Sequence, residues 1–295
     1  MYVLYTIHMS KETKYSLSDL RKSFPDDTAC LEYIFDAHHS RTCSCGGTYS
    51  HVSGRKQFQC SKCRFQIAPM VGTIFEGSST NLTLWFHAVW IFSNAKSGIS
   101  AKELERQLGV TYKCAYRILT QIRKALSGED SPLSGEVEMD TAYVGGRKPA
   151  GRNNINLSAS MRAKTPVITA IERGGRLIAR TSPNDRGTTN RTFLDLYVKE
   201  GSTLMTDDTR HLGHIGMKYD RYTVRHGKGE YVRGNVHINT VEAWFSHVKR
   251  CLKGTFKSVS SEKLQSYLDA FAFHYNNRHN DRQRFEVLLG KLLHV

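Results

Sequence analysis

The sequence predicts an α+β protein built from several units, and three observations support this prediction. Four cysteines cluster between positions 43 and 63. Two helical patterns joined by a short turn follow. Beyond Pro132, runs typical of strands alternate with helical patterns, as in a domain that packs helices on a sheet. We expect an N-terminal helical segment at 1–36, a cysteine-rich unit at 37–70, a helical unit at 71–128 and an α+β domain at 133–295.

Composition indicates a polyanionic partner. The chain has 42 Lys+Arg against 27 Asp+Glu, a formal net charge of +15. No apolar run is long enough to cross a membrane, and residues 1–10 lack the features of a signal peptide. We therefore expect nucleic acid rather than a membrane surface as the partner. The expected location is cytoplasmic and nucleoid-associated in a bacterium, or nuclear in a eukaryote.

The cysteine cluster predicts one structural Zn²⁺ ion. Its four members are Cys43, Cys45, Cys60 and Cys63. Residues 60–63 form a Cys-x-x-Cys half-site, and two glycines after Cys45 allow the tight turn of a zinc knuckle. Because Cys43 and Cys45 are only two positions apart, His38 or His39 is an alternative to Cys43. A disulfide framework is the competing interpretation, which a reduced compartment disfavours.

The two helical patterns after the cysteine cluster predict a helix-turn-helix. The first helix spans 101–108 and ends at Gly109, and the second buries a stripe that includes Ile118 and Ile122. Its opposite face would present side chains suited to a major groove and its phosphates, namely Tyr112, Lys113, Tyr116, Arg117, Gln121 and Arg123. An ordinary helical hairpin that packs on the α+β domain is the alternative.

Three acidic residues are the candidate catalytic groups. Asp140 ends an alternating run, Asp207 ends a second short run, and Glu242 lies in the first turn of an amphipathic helix. Carboxylates of this kind hold pairs of hard divalent cations for phosphodiester chemistry. Lys249 shares an edge of the helix with Glu242, so a solvated charge pair is the competing interpretation. Asp208 is a second candidate for the position of Asp207.

The order of elements around these acids is typical of a ribonuclease-H-like fold. Strands are expected at 136–144, 166–172 and 176–182, a helix at 189–198 and a fourth strand that ends at Asp207. Two basic segments, 147–164 and 219–234, are expected to be loops that contact DNA. A zinc nuclease site of the His-Asn-His kind is suggested by four histidines, His211, His214, His226 and His237. They lack the accompanying cysteines and the tight spacing that such a site needs. Of these, His237 is placed to contact a scissile phosphate.

Several stretches of the chain resemble the DDE transposases of bacterial insertion sequences. They are residues 137–146, 206–208 and 236–245, the last followed by Lys249 and Arg250, with further support from 72–75 and 267–276. The resemblance runs from about residue 40 to about residue 280. Within these transposases, the chain resembles the group that carries a zinc ribbon before a ribonuclease-H-like catalytic domain. This group is related to the eukaryotic Merlin transposons.

The resemblance implies a metal-dependent polynucleotidyl transferase. Asp140, Asp207 and Glu242 would hold two Mg²⁺ ions, for which Mn²⁺ substitutes. Lys249 would contact a phosphate near the third ligand, and Arg250 would add a DNA contact. Because some relatives carry an Asn as the third catalytic residue, Asn239 stays an alternative to Glu242.

The resemblance also implies the biological reaction. The zinc ribbon and helix-turn-helix would bind the terminal inverted repeats of an element, and the catalytic domain would cleave its 3′ ends and transfer them into target DNA. The expected partners are both kinds of double-stranded DNA and further copies of the chain, in a homodimer or larger assembly. A domesticated sequence-specific DNA-binding protein is one alternative. The other is a ribonuclease-H-fold nuclease or resolvase without strand transfer.

Overall fold

The computed structural model describes residues 14–128, 131–145, 164–208, 218–225, 227 and 229–294. These residues form helices and two separate sheets. The helices are α1 (Leu17–Ser23), α2 (Asp27–His38), α3 (Leu82–Asn94), α4 (Ala101–Leu108), α5 (Tyr112–Ala125), α6 (Gly187–Tyr197), α7 (Asn239–Cys251), α8 (Ser261–Asn276) and α9 (Asp281–Leu293). The strands are β1 (Tyr49–His51), β2 (Phe58–Cys60), β3 (Gln66–Ile67), β4 (Glu136–Val144), β5 (Thr165–Glu172), β6 (Leu177–Thr181), β7 (Thr203–Asp207) and β8 (Asp220–Val224).

The chain divides into two compact units. The first contains the described residues up to Ala95, then Ala101–Ala125 and residues 277–294. The second contains Lys96–Ser100 and Leu126–Asn276. The structure therefore agrees with the predicted α+β class, with a helical, cysteine-bearing unit and a second unit built on a mixed sheet.

The first unit is organised around α3, which is apolar on most of its surface. Trp85 and Phe86 on this helix are fully buried, and α9 packs against it. Arg284 of α9 is also buried and donates hydrogen bonds to the backbone oxygens of Ser93 and Asn277. These contacts explain why residues 277–294 group with the first unit, whereas the predicted domain boundaries assign them to the catalytic domain.

The second unit contains a five-stranded sheet with the order β6-β5-β4-β7-β8. Strand β5 is antiparallel to both β4 and β6, whereas β7 pairs in parallel with β4 and β8 pairs in parallel with β7. The bounds of β4 and the end of β7 are those that the alternating pattern predicts. Strand β8 is a correction, because it lies in the segment 219–234 that we expected to be a loop.

Helices cover both faces of this sheet. Val137 and Met139 of β4 point into a core that α6 closes, whereas Val144 points into a core that α7 and α8 close. Side chains alternate along a strand, so Glu138 and Asp140 share the α7 face. Helix α7 lies there because its stripe at i, i+3, i+4 and i+7 is apolar and buried. The stripe consists of Val241, Trp244, Phe245 and Val248.

Candidate active site

The register of the two central parallel strands brings two of the predicted acids together. Glu138 of β4 pairs with Met205 of β7. The pairing ends there, and continuation of its register by two residues would bring Asp140 beside Asp207, whose charge acts on Asp140. Neighbouring strands lie about 4.8 Å apart. Because side chains alternate along each strand, both carboxylates lie on the face of the sheet that α7 covers. The sheet therefore presents Asp140 and Asp207 as a pair at one end of its centre.

Asp140 is in an environment that penalises its charge. Burial raises the pKa of its carboxyl to about 6, and the nearby Asp207 and Glu242 carboxylates also raise it. A hydrogen bond from the Thr141 backbone N–H, 2.7 Å from Oδ1, and the charge of Lys249 act in the opposite direction. The three predicted acids and the lysine thus act electrostatically on one site. A cation would relieve the repulsion among the carboxylates.

The end of β7 is fixed by its neighbour β8. Arg221 of β8 donates from Nε to Thr206 Oγ1 at 3.0 Å and from a terminal nitrogen to the Asp207 backbone oxygen at 3.1 Å. Asp207 is half-buried, whereas the following Asp208 is exposed. These observations favour Asp207 over Asp208 as the acid at the end of the strand.

Helix α7 carries Glu242 beside its buried stripe. Glu242 is half-buried in the first turn, and Lys249 is exposed two turns later with its Nζ 5.7 Å from the centre of the Phe245 ring. The alternative third residue, Asn239, is the exposed first residue of the same helix. Arg250 is also exposed, as a DNA contact requires.

A residue that the sequence analysis did not single out anchors α7 to β4. Glu138 is fully buried, and its Oε2 accepts hydrogen bonds from the backbone N–H groups of Thr240 and Val241 at 2.8 and 3.2 Å. Its Oε1 accepts from Thr240 Oγ1 at 3.0 Å and from Arg173 Nε at 2.9 Å. A carboxylate from the sheet therefore caps the helix that carries Glu242.

Arg173 completes this anchor from the turn after β5. One terminal nitrogen donates to the backbone oxygen of His237 at 3.0 Å, and the other donates to Asn235. The Nδ1 atom of His237 lies 3.3 Å from Glu138 Oε1. The only signal in the sequence was an acid at an inward position of β4, two residues before Asp140. Its arginine partner is too distant in sequence to be recognised.

Four of the six cysteines of the first unit, Cys43, Cys45, Cys60 and Cys63, form one group. Their sulfur atoms all lie within 4.8 Å of one another. Cys43 Sγ is 3.7 Å from Cys63 Sγ, and Cys45 Sγ is 3.5 Å from Cys60 Sγ. Tetrahedral Zn²⁺ with bonds of about 2.3 Å places its sulfur ligands about 3.8 Å apart. The arrangement therefore fits a single tetrahedral ion.

Two further contacts support a metal site at this cluster. The Tyr49 hydroxyl donates to Cys43 Sγ at 3.3 Å. This hydrogen bond is the largest of several, with the Cys45 backbone and the neighbouring cysteines, that together lower the pKa of the Cys43 thiol to about 6. A Cβ at Gly47 would lie 2.5 Å from Cys60 Sγ, so only glycine fits beside the thiolates. The alternative ligands pack elsewhere: the ring of His38 contacts His294, and that of His39 contacts Phe35.

Comparison with known proteins identifies the family. Residues 132–276 match the model of the ISXO2-like transposase domain. A protein of Halobacterium salinarum, described as an uncharacterized protein in transposable element ISH50, is 31% identical over 230 residues. The match covers 73% of this chain and 77% of that protein. The chain belongs to the ISXO2-like family of insertion-sequence DDE transposases.

A solved structure also matches the transposase, but weakly. It is a crystal structure of a pre-cleavage Mos1 transpososome, with 9% sequence identity and a TM-score of 0.30. The match covers 69% of this chain and 77% of that one. A TM-score this low does not support a shared fold.

The two helices of the predicted helix-turn-helix are present in the transposase, with one correction to the outward face of the second. Helix α4 has the expected bounds, α5 buries the expected stripe, and Gly109 between them has a φ of 66°. Arg123 does not face outward, because it is 6% exposed and follows Leu119 by four residues on the buried stripe. Lys113 is exposed, and Tyr116 and Gln121 are half-buried.

Arg117 is exposed but already engaged within the first unit. Its terminal nitrogen donates to Thr80 Oγ1 at 2.9 Å and lies 3.3 Å from Ser78 Oγ. Its guanidinium carbon is 5.6 Å from the centre of the Trp85 ring. These contacts hold Arg117 against the core, so its loss would affect packing as well as any DNA contact.

Other expectations fall on residues outside the described ones. They are most of the predicted loop 147–164 and the histidines His211, His214 and His226. Across the part of the transposase that the structure describes, no helix has both the length and the apolar character needed to cross a bilayer.

Proposed function

We propose that the transposase binds the terminal inverted repeats of its element, cleaves their 3′ ends in a Mg²⁺-dependent reaction and transfers them into target DNA. The observation that carries the proposal is the convergence of Asp140, Asp207 and Glu242. Asp140 lies midway along β4 and Asp207 ends the adjacent parallel strand β7, and the carboxylates of Asp207 and Glu242 both raise the pKa of Asp140. Paired carboxylates are the ligands that two-metal phosphodiester chemistry requires.

The sheet supports a ribonuclease-H-like catalytic domain. Three antiparallel strands are followed by two strands parallel to the first, and helices cover both faces. The first acid lies on the central strand β4, and the second lies on the adjacent strand β7. In this proposal the first two acids lie on neighbouring interior strands, and α7 supplies the third.

The chain's own residues have separate roles in this proposal. Asp140, Asp207 and Glu242 hold two Mg²⁺ ions, which Mn²⁺ can replace, and Asn239 is the alternative third residue. When bound, the ions supply Lewis acids for the attacking and leaving oxygens. Lys249 contacts a DNA phosphate beside the third ligand, because its ammonium group is exposed and acts on Asp140.

DNA recognition is assigned to the first unit. A zinc ribbon held by Cys43, Cys45, Cys60 and Cys63 and the exposed face of α5 bind the terminal repeats. The contributing residues on that face are Lys113, Tyr116, Arg117 and Gln121, and Arg250 of α7 adds a contact near the cleavage site. Bringing two element ends together requires at least a homodimer.

Substitution of each acid tests the proposal. Asp140→Asn, Asp207→Asn and Glu242→Gln should each abolish Mg²⁺-dependent cleavage of a duplex that carries the terminal repeat. Binding of that duplex should change little, because recognition is assigned to the first unit. Cleavage of all three variants at the parental rate would refute the catalytic assignment and favour a DNA-binding protein without catalysis.

Two other acids provide the controls: Asp208, which follows Asp207, and Asp220, which lies at the far end of the neighbouring strand β8. Asp208→Asn and Asp220→Asn should retain most of the cleavage activity, because neither carboxylate is assigned to the metal site. Asn239→Ala tests the alternative third residue. If Asn239→Ala is inactive and Glu242→Gln is active, the third ligand is Asn239. Cleavage without strand transfer under all conditions would favour a nuclease or resolvase.

A further inference from the structure

A cavity of about 450 Å³ opens at the end of β4 in the second unit. Its wall includes Tyr143, three residues beyond Asp140, and Val259. Four lysines line it: Lys164, Lys249, Lys253 and Lys257. We call this cavity with its four lysines the lysine pocket. Of the four, only Lys249 has a role in the proposed function.

The backbone that follows α7 is irregular where it forms this pocket. Leu252–Phe256 is a π-helical turn, and such turns are rare and frequently occur at functional sites. Lys257 then has a φ of 63° and a ψ of −52°. The Ser258 N–H donates to the Phe256 backbone oxygen at 2.7 Å and closes a γ-turn around Lys257. This form of the γ-turn is rare and strained for a residue other than glycine.

Packing on the inner side of the turn holds this strained conformation. The ring of Phe256 lies 4.8 Å from that of Tyr267, measured between centres. It also fills the space beside Gly98, where a Cβ would lie 2.5 Å from a ring carbon. Thr255 Oγ1 donates to the backbone oxygen of Ser97 at 3.2 Å. The fold thus fixes the turn without help from the lysine side chain, although glycine would adopt the same backbone with less strain.

Three of the four charges of the lysine pocket are not balanced by a carboxylate among the residues that the structure describes. Within the described part of the chain, Lys164, Lys253 and Lys257 are exposed and form no ion pair with a carboxylate. Several ammonium groups around one concave surface repel one another and attract an anion. The lysines at 249, 253 and 257 follow one another along the chain, so an extended polyanion can meet them in succession.

We infer that the lysine pocket binds phosphates of the DNA strand a few nucleotides from the scissile bond. This inference rests on the proposed function, which places the scissile bond at Asp140. Tyr143 lies about 10 Å beyond Asp140, since a strand rises about 3.3 Å per residue. Each DNA strand carries one phosphate per about 3.4 Å of helix axis, so the separation corresponds to about three nucleotides. The pocket would hold the cleaved strand in place beside the acids.

The salt dependence of DNA binding tests the inference. The double variant Lys253→Ala, Lys257→Ala is compared with the parent by fluorescence anisotropy, with a duplex that carries the terminal repeat. The slope of log affinity against log salt should be smaller by about 1.8, because each lost phosphate contact removes about 0.9. The control is Arg191→Ala, Lys199→Ala, which also removes two exposed charges. An equal decrease in the control would overturn the inference.

Lys257→Gly separates the charge from the backbone. Because glycine tolerates a φ of 63°, this variant should melt at or above the melting temperature of the parent. The slope of its log affinity for DNA against log salt should nevertheless be smaller by about 0.9. Lys253→Arg, Lys257→Arg keeps both charges and should keep the parental slope. A Lys257→Gly variant with the parental slope contradicts a phosphate contact at this position.

A deoxynucleoside monophosphate distinguishes a DNA site from a small-ligand site. One outcome would refute the inference: the parent binds the nucleotide saturably, the double alanine variant does not, and both show the same salt dependence of DNA binding. That outcome would assign the pocket to a small ligand. The cleavage assays of the acid variants are independent of this measurement. Parental cleavage by Asp140→Asn would refute the proposed function, whereas an unchanged salt slope refutes only the lysine pocket.

Discussion

Replacing Glu138 by glutamine is expected to destabilise α7 and the site that it carries. All of the hydrogen-bond partners of Glu138 are donors: two backbone N–H groups, a hydroxyl and the Arg173 guanidinium. A carboxylate accepts with both oxygens, whereas glutamine replaces one of them with an NH₂ group that faces donors. The substitution therefore removes acceptors from the first turn of α7 and the counter-charge from Arg173.

The magnitude follows from burial. Glu138 is fully buried and the side chain of Arg173 is 16% exposed. Leaving one member of a buried ion pair without its partner costs about 3–5 kcal/mol, which we expect for Glu138→Ala. Glu138→Gln retains one acceptor oxygen, so we expect about 2–3 kcal/mol, in line with the cost of unsatisfied buried donors. Both values are large beside a typical folding free energy of about 5–15 kcal/mol.

Glu136 provides a matched control on the same strand. It also pairs with Arg173, at 3.2 Å, but its side chain is 46% exposed. Exposed ion pairs contribute about 0–1 kcal/mol, so Glu136→Gln should change stability little. Hydrogen exchange of the amides in the first turn of α7, measured without DNA, reports the local free energy of opening. Equal exchange protection in Glu138→Gln and Glu136→Gln would refute the anchor.

Three further predictions concern the metals and the DNA-reading helix. The purified chain should carry about one zinc per monomer, and Cys60→Ser with Cys63→Ser should remove it and lower the melting temperature, as measured by elemental analysis and calorimetry. For binding of the terminal repeat, Lys113→Ala should lower the slope of log affinity against log salt by about 0.9 without changing the melting temperature. Arg117→Ala should also lower the melting temperature, because it loses the contacts with the core. The pKa of Asp140 is about 6 rather than 3.8, so the folded metal-free protein loses stability between about pH 4 and pH 6 as this carboxyl ionises. Asp140→Asn removes this loss and should be up to about 3 kcal/mol more stable than the parent at about pH 7.5. Below about pH 4 the variant should gain little. Urea unfolding in EDTA measures this difference, and a variant less stable than the parent at pH 7.5 would contradict it.

The elements that the sequence predicted well have strong local patterns. Strand β4 alternates up to Asp140 and α7 has an uninterrupted apolar stripe, so the strand at 136–144 and the start of the helix were placed as observed. Strand β8 was missed because its residues 220–224 are mostly polar and partly exposed, as on an edge strand with a weak hydrophobic pattern. Arg123 was misplaced because a charged residue on the border of a helical stripe can extend either inward or outward.

The features that escaped prediction depend on contacts between residues distant in sequence. The π-helical turn at 252–256 has no hydrophobic period of its own and is fixed by Phe256 against Gly98. Arg173 and Glu138 are joined only when β5 pairs with β4 and α7 packs on the same face. Nothing in the local sequence of either residue indicates its partner.

Glu138 and Asp140 show how one strand gives two acids different functions. They lie two residues apart on the same face of β4, so alternation alone does not distinguish them. Glu138 receives four hydrogen bonds and the charge of Arg173, and its negative charge is compensated by the protein. The Asp140 carboxylate accepts one hydrogen bond, from the Thr141 backbone. Its burial and its two neighbouring carboxylates raise its pKa. The arginine thus neutralises the anchoring acid and leaves the other cluster with excess negative charge, so a divalent cation would be stabilised at Asp140 and not at Glu138.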